Sequence, residues 1–193
     1  GFAPDSWDKL TKHLKAKGFA EDDLIQARVA ARGRKGGVYD VFRRRLMFPI
    51  LDLRGNVIAF GGRKLPEQEG PKYINTADTP VYKKSSHVYA LNFAKNHAAQ
   101  QIILCEGYMD VIALHQAGFQ NAVAPLGTSF TAEQAKLLSR YTNEVVLTMD
   151  ADSAGQKATE RAISLLNETG LKVRVIRVPD GKDPDEFLRS HGA

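Results

Sequence analysis

Cysteine is almost absent from this chain. Cys105 stands alone, so no internal disulfide can form, and the five histidines are scattered. No Cys/His pattern with structural-zinc spacing is present. Long apolar runs are missing too, and nothing approaches the roughly 20 residues that a membrane helix needs. The opening Gly1-Phe2-Ala3-Pro4-Asp5 lacks the basic segment and apolar stretch of a signal peptide. These absences argue against disulfide-stapled, zinc-knit and membrane-spanning classes, and they point to a reducing cytoplasm. There is no initiator Met, as expected for a fragment of a longer protein.

Charge is plentiful and unevenly placed. The net charge of +5 divides into +8 over residues 28–84, −2 over 93–193 and −1 over 1–27. A basic block beside a slightly acidic one is the pattern of a polyanion grip next to a metal site. A solvated basic surface is the other reading that charge alone allows.

Hydrophobic spacing gives the organisation. Trp7, Leu10 and Leu14 recur at helical spacing up to Gly18, and Leu24, Ile25 and Val29 mark a second helix over 21–31. Arg32 to Gly37 is a basic, glycine-rich loop whose Arg32, Arg34 and Lys35 suit phosphate contact or a plain solvated loop. The apolar runs Arg45–Leu53 and Val57–Phe60 around Arg54-Gly55-Asn56 read as a β-hairpin. Pro49 places an edge or bulge in its first strand, and Gly61-Gly62 is expected to close the second. Residues 66–87 read as loops with short strands.

From about residue 100 the alternation becomes regular, with strands at 101–105, 122–126, 144–149 and 172–178 separated by helices. The expected class is α/β, with a roughly four-stranded parallel sheet flanked by helices. A smaller mixed α+β subdomain precedes it. The boundary falls near residues 92–98, giving a basic module over 1–92 and a parallel-sheet module over 93–193.

Acids cluster where such a sheet binds ligands, beyond the carboxyl ends of its strands. Glu106 follows the first parallel strand directly, and Asp110 comes one helical turn later. Asp150 ends the third strand, with Asp152 two residues on. Converging carboxylates repel unless a cation neutralises them, and Mg²⁺ prefers oxygen ligands together with substrate phosphates. That suits phosphoryl transfer. Asp152 is also placed to cap the following helix. Asp183-Pro184-Asp185 is a helix-start pattern as well as a second acidic pair.

Glu106-Gly107-Tyr108-Met109-Asp110, with Asp150-Ala151-Asp152-Ser153-Ala154-Gly155 forty residues on, resembles the TOPRIM module of primases, topoisomerases and some nucleases. The upstream block narrows this. Arg45-Leu46-Met47-Phe48-Pro49-Ile50, Phe60-Gly61-Gly62-Arg63 and Pro71-Lys72-Tyr73-Ile74-Asn75 look like the bacterial replicative DNA primase family (DnaG type). The resemblance implies an RNA-polymerising core that uses Mg²⁺, with Mn²⁺ as a substitute. It implies catalytic, metal-binding acids at Glu106, Asp150 and Asp152, and further metal acids at Asp110, Asp183 and Asp185. Nucleic-acid or nucleotide contacts fall on Arg43, Arg45, Arg63, Lys72, Tyr73, Asn75 and Lys84. Implied partners are a single-stranded DNA template, ribonucleoside triphosphates and the RNA–DNA product. A replicative helicase would bind through a region absent here. Position 151 is Ala where many relatives have Gly, so a small side chain is kept.

Other residues carry weaker signals. Gly127-Thr128-Ser129 lies at the ligand edge and precedes a helix, which suits a phosphate or a plain helix entry. Phe2, Trp7, Phe19 and Phe42 are expected in the core, not as base-stacking platforms. Cys105 is expected to be a buried strand residue.

Overall fold

Two sheets built on opposite strand logic organise the computed structural model, which describes residues 1–34, 36–66, 69–127, 129–148, 153–178 and 183–192. The chain divides into one compact unit of residues 1–50 and 57–83, and a second of residues 51–56 and 84–193.

The first unit carries a sheet in the order β1 (Phe2–Ala3), β4 (Arg45–Leu51), β5 (Val57–Lys64), β6 (Tyr73–Asn75). A separate two-stranded sheet pairs β2 (Ala30–Arg32) with β3 (Val38–Asp40). Helices α1 (Lys9–Ala16) and α2 (Glu21–Gln26) precede them. The expected second helix is therefore shorter than 21–31. Arg28 takes a left-handed φ of +58°, and the amide of Val29 bonds back to Leu24 O. This closes the helix end and frees Ala30–Arg32 to pair as a strand. The basic loop after Arg32 is the turn of that β2–β3 hairpin, closed by Gly33 N to Gly37 O, with Gly36 and Gly37 at positive φ.

The long hairpin forms as expected, with two differences. Its turn spans 52–56 and is organised by Asp52. That carboxylate accepts from the backbone amides of Arg54 and Asn56 and from the Asn56 side chain. The bonds from Asn56, side chain first, hold the Asp52 carboxyl below its ordinary pKa. Its contribution to the turn is thus present above the unfolded-state value and lost as pH falls through the folded one. The second difference is that Gly61-Gly62 does not close β5, which runs on to Lys64. A Cβ at Gly62 would sit 2.9 Å from Phe42 Cδ1 and 3.1 Å from Arg45 Cδ. The glycine is therefore a close-packing residue inside the strand. Pro49 is tolerated because β1 pairs with β4 only at Arg45 and Leu46.

Helix α1 is fixed by a distant carboxylate. Asp40, buried in β3, accepts from the amides of Leu10 and Thr11 and from Thr11 Oγ1, at 2.7, 2.9 and 2.6 Å. These are first-turn amides that the helix itself cannot satisfy. Asp40→Ala is expected to cost about 2–3 kcal/mol, measured by urea denaturation. A cost below about 0.5 kcal/mol would mean that water replaces the carboxylate.

The second unit carries the parallel sheet in the order β10 (Lys172–Val175), β9 (Glu144–Thr148), β7 (Ile102–Cys105), β8 (Ala122–Val123). All three strand pairs are parallel. Helices α3 (Leu91–Ala94), α4 (Tyr108–Gln116), α5 (Ala132–Leu138), α6 (Ser153–Asn167) and α7 (Pro184–His191) complete it. The apolar strands β7 and β9 place Ile102, Leu104, Val145 and Leu147 in one core with Leu138, Ala162 and Leu166. On the other side Cys105, Val111, Leu114 and Ala122 form a second cluster. Thr131 and Gln134 make the expected capping box of α5. Strands β8 and β10 are shorter than expected. After β8 the chain makes only a single bridge, Tyr89 to Ala124. Among the described residues no helix is long and apolar enough to cross a membrane.

Candidate active site and nucleic-acid surface

The parallel register levels the strand ends. Cys105 pairs with Thr148, Leu104 with Val123, and Leu147 with Val175. Glu106, one residue past β7, is exposed at that edge. Asp150 and Asp152 lie outside the described residues, as do Lys35 and Thr128; in sequence the two acids follow Thr148 by two and four positions. The Thr148 hydroxyl is buried at the same edge and has no hydrogen-bond partner among the described residues.

Asp110 sits in the first turn of α4 and is buried. Its Oδ2 accepts from the Gly107 amide at 3.1 Å, so it shapes the turn that carries Glu106. Burial, and next the Asp110 charge, push the Cys105 thiol well up. Cys105 is buried in β7, as expected. Asp183 caps α7, accepting from the Glu186 amide at 2.8 Å, with Pro184 in the first turn. Asp185 accepts from Arg189 Nε at 2.9 Å and lies 2.8 Å from Nη2. Leu188 docks α7 onto the Cys105–Val111–Leu114 cluster. Among the described residues no three Asp, Glu, His or Cys side chains come together as a metal cage. The donors on offer are all carboxylate oxygens, which fit a hard cation of the Mg²⁺ kind and not zinc or copper.

Two groups of cations in the first unit stand beside aromatic rings. Arg63 and Lys72 each lie 5.8 Å from the centre of the Tyr73 ring. Together with Leu46, Lys64, Leu65 and Pro66 they line a cavity of about 400 Å³. The register that places them pairs Arg63 with Tyr73 and Gly61 with Asn75. Arg43 belongs to the second group. Its guanidinium stacks 4.0 Å over Trp7 and 5.4 Å from Tyr39 while donating to Asp40 O. Trp7 meets Tyr39 edge-on at 5.9 Å.

One expectation needs correcting here. Trp7 is 66% exposed, and Phe2 and Phe19 are exposed too, so only Phe42 of the four aromatics is core. Trp7 forms a surface platform that the periodicity reading missed. The available signal was its polar setting, Ser6 and Asp8 on either side. Arg45, expected as a nucleic-acid or nucleotide contact, is buried, at 6% exposed. Its guanidinium donates to the carbonyls of Gly62 and Pro71. Lys84, in the second unit, lies in a 3₁₀ turn whose Lys84 carbonyl accepts from Gln134 Nε2 at 3.0 Å.

Residues 1–95 match the family model of the DNA primase catalytic core, N-terminal domain, and residues 103–188 match the Toprim-like model. The chain is 50% identical over 193 residues to the DNA primase of Clostridium acetobutylicum, covering all of this chain and 32% of that protein. It superposes on the E. coli primase catalytic core with a TM-score of 0.89 at 42% identity, covering all of this chain and 63% of that one. A DnaG primase catalytic domain bound to single-stranded DNA gives 0.88 at 41% identity, with coverage of 100% and 64%. The chain thus spans about a third of the curated relative it matches and under two thirds of these solved chains. With family models over both its parts and primases aligned along its whole length, the chain belongs to the DNA primase family.

Proposed function

We propose that this chain performs template-directed synthesis of short RNA primers on single-stranded DNA, by metal-dependent nucleotidyl transfer. The carrying observation is the register of the parallel sheet, which levels β7 with β9 and leaves Glu106 exposed just past their shared edge. In this reading Glu106, Asp150 and Asp152 hold the cation, with Asp110, Asp183 and Asp185 as further acids around it. Bound Mg²⁺ would position the triphosphate and stabilise the pyrophosphate leaving group; Mn²⁺ is the substitute. The primer 3′-hydroxyl attacks the α-phosphate of the incoming ribonucleotide and pyrophosphate departs. Glu106 acts as general base or as a further metal ligand.

The division of labour follows the modules 1–92 and 93–193. Arg63, Lys72, Tyr73 and Asn75 of the first, with Lys84, hold phosphates of the template or the triphosphate. Arg43 and Trp7 hold template bases, since an exposed indole with a guanidinium over it suits stacking and cation–π contact. A relative carries single-stranded DNA in its solved structure, which supports that partner. The helicase contact belongs to a region outside this chain, and the setting is the replication fork in the cytoplasm.

The test is Mg²⁺-dependent incorporation of labelled ribonucleotides on a single-stranded template. It uses the C. acetobutylicum primase with this chain in place of its matching third. No incorporation by a folded chimera rejects the reading. A second measurement uses the single tryptophan. Its emission is expected to be quenched as single-stranded DNA is added, and Trp7→Ala to weaken binding by about 5- to 150-fold. Unquenched emission alongside binding would remove Trp7 from the template site.

A further inference from the structure

We infer that Arg45 is a positioning residue: its guanidinium pins the carbonyls of Gly62 and Pro71, sets the place of Arg63, Lys72 and Tyr73, and touches no ligand itself. This rests on the proposed phosphate-holding role of Arg63 and Lys72. Arg45 Nη1 donates to Gly62 O at 3.2 Å and Pro71 O at 3.1 Å, and Nη2 to Pro71 O at 3.1 Å. A longer contact of 3.5 Å reaches Lys72 O. Guanidinium has donors and no acceptor, and a buried one is tolerated only when those donors are met. Backbone carbonyls accept from both Nη1 and Nη2 here.

Strand alternation places Arg45 apart from the cations it serves. Consecutive residues of a strand face opposite sides. A Cβ at Gly62 would come within 3.1 Å of Arg45 Cδ, so Arg45 covers the Gly62 side of β5 together with Phe42. Arg63 faces the other way and shares its cavity with Leu46 and Lys72. Of the carbonyls that Arg45 holds, Gly62 O lies in β5 and Pro71 O in the leg of chain entering β6. That leg is tied to β5 by Lys64 N to Lys72 O at 2.9 Å and by the pair Arg63–Tyr73. Loosening it moves Lys72 and the Tyr73 ring together, and Arg63 loses the ring beside it.

Three readouts on the full chain test this. Arg45→Gln is expected to raise amide exchange at Lys72–Asn75 by about tenfold or more. It is expected to weaken binding of a labelled single strand, yet to add little once Arg63→Ala and Lys72→Ala are already present. Arg45→Lys should not rescue, because one ammonium cannot replace a planar fork spanning two carbonyls. Additive losses, rescue by Lys, or unchanged exchange at Lys72–Asn75 would each overturn the assignment. Should the unsubstituted chain bind no single strand, the phosphate-holding reading of Arg63 and Lys72 fails. The exchange measurement then decides the role of Arg45 by itself.

Discussion

Replacing Glu106 by Gln is expected to slow primer synthesis by about 10²- to 10⁴-fold with the melting transition unchanged. The substitution keeps shape and removes one negative charge from an exposed position past β7. Exposed changes of this kind alter stability by no more than about 0.5 kcal/mol, so any large loss is chemical. The two roles left open separate cleanly. As a metal ligand, its loss raises the Mg²⁺ concentration needed for half-maximal rate, and excess Mg²⁺ restores part of the activity. As general base, its loss removes the acidic limb of the pH–rate profile, and excess Mg²⁺ does nothing. Asp150→Ala is expected to abolish synthesis in the same assay. Near-normal synthesis by either variant would reject the acid assignment.

Leu104→Ala is expected to destabilise the second unit by about 2–5 kcal/mol, read by urea denaturation. Leu104 is fully buried in β7, the strand flanked by β9 and β8. Its register partners are Leu147 and Val123, both buried as well. Hydrogen-bonded neighbours on both sides hold the backbone, so the cavity left by the lost side chain cannot easily collapse. The same substitution at Leu46 should cost less, about 1 kcal/mol, because that side chain is 40% exposed. Equal losses at the two positions would mean that the sheet core does not carry the stability assigned to it. The result bears on function, since Leu104 lies two residues before Glu106 on the strand that aims it.

Much of the parallel-sheet unit was legible in the sequence because each signal there is local. Ile102–Cys105 and Glu144–Thr148 are short apolar runs, Thr131 and Gln134 are a cap at fixed spacing, and Asp183-Pro184 starts a helix as written. The first unit was read less well because distant partners decide it. Ala30–Arg32 reads as a helix end until Val38–Asp40 pairs with it. Helix α1 buries Thr11 and leaves Trp7 outside, because Asp40, twenty-nine residues from Thr11, anchors its first turn. Gly61-Gly62 looks like a strand terminus, and only the packing of Phe42 and Arg45 on Gly62 reveals why a glycine is required there. Arg45 sits in a basic stretch that reads as a nucleic-acid contact, and only the tertiary fold shows its guanidinium buried on the carbonyls of Gly62 and Pro71. Glu106 stands out in the sequence since a carboxylate straight after an apolar strand needs a reason to be there, and it lies exposed just past β7. Its company with Asp150 and Asp152 remains a proposal, those two acids lying outside the described residues.

The most direct test is a crystal of this chain soaked with Mn²⁺ and a ribonucleoside triphosphate, with the metal located by its anomalous scattering. The expected result is a manganese peak within direct coordination distance of Glu106, Asp150 or Asp152, bridged to triphosphate oxygens. A peak that touches none of these acids, with the triphosphate bound elsewhere, would contradict the account.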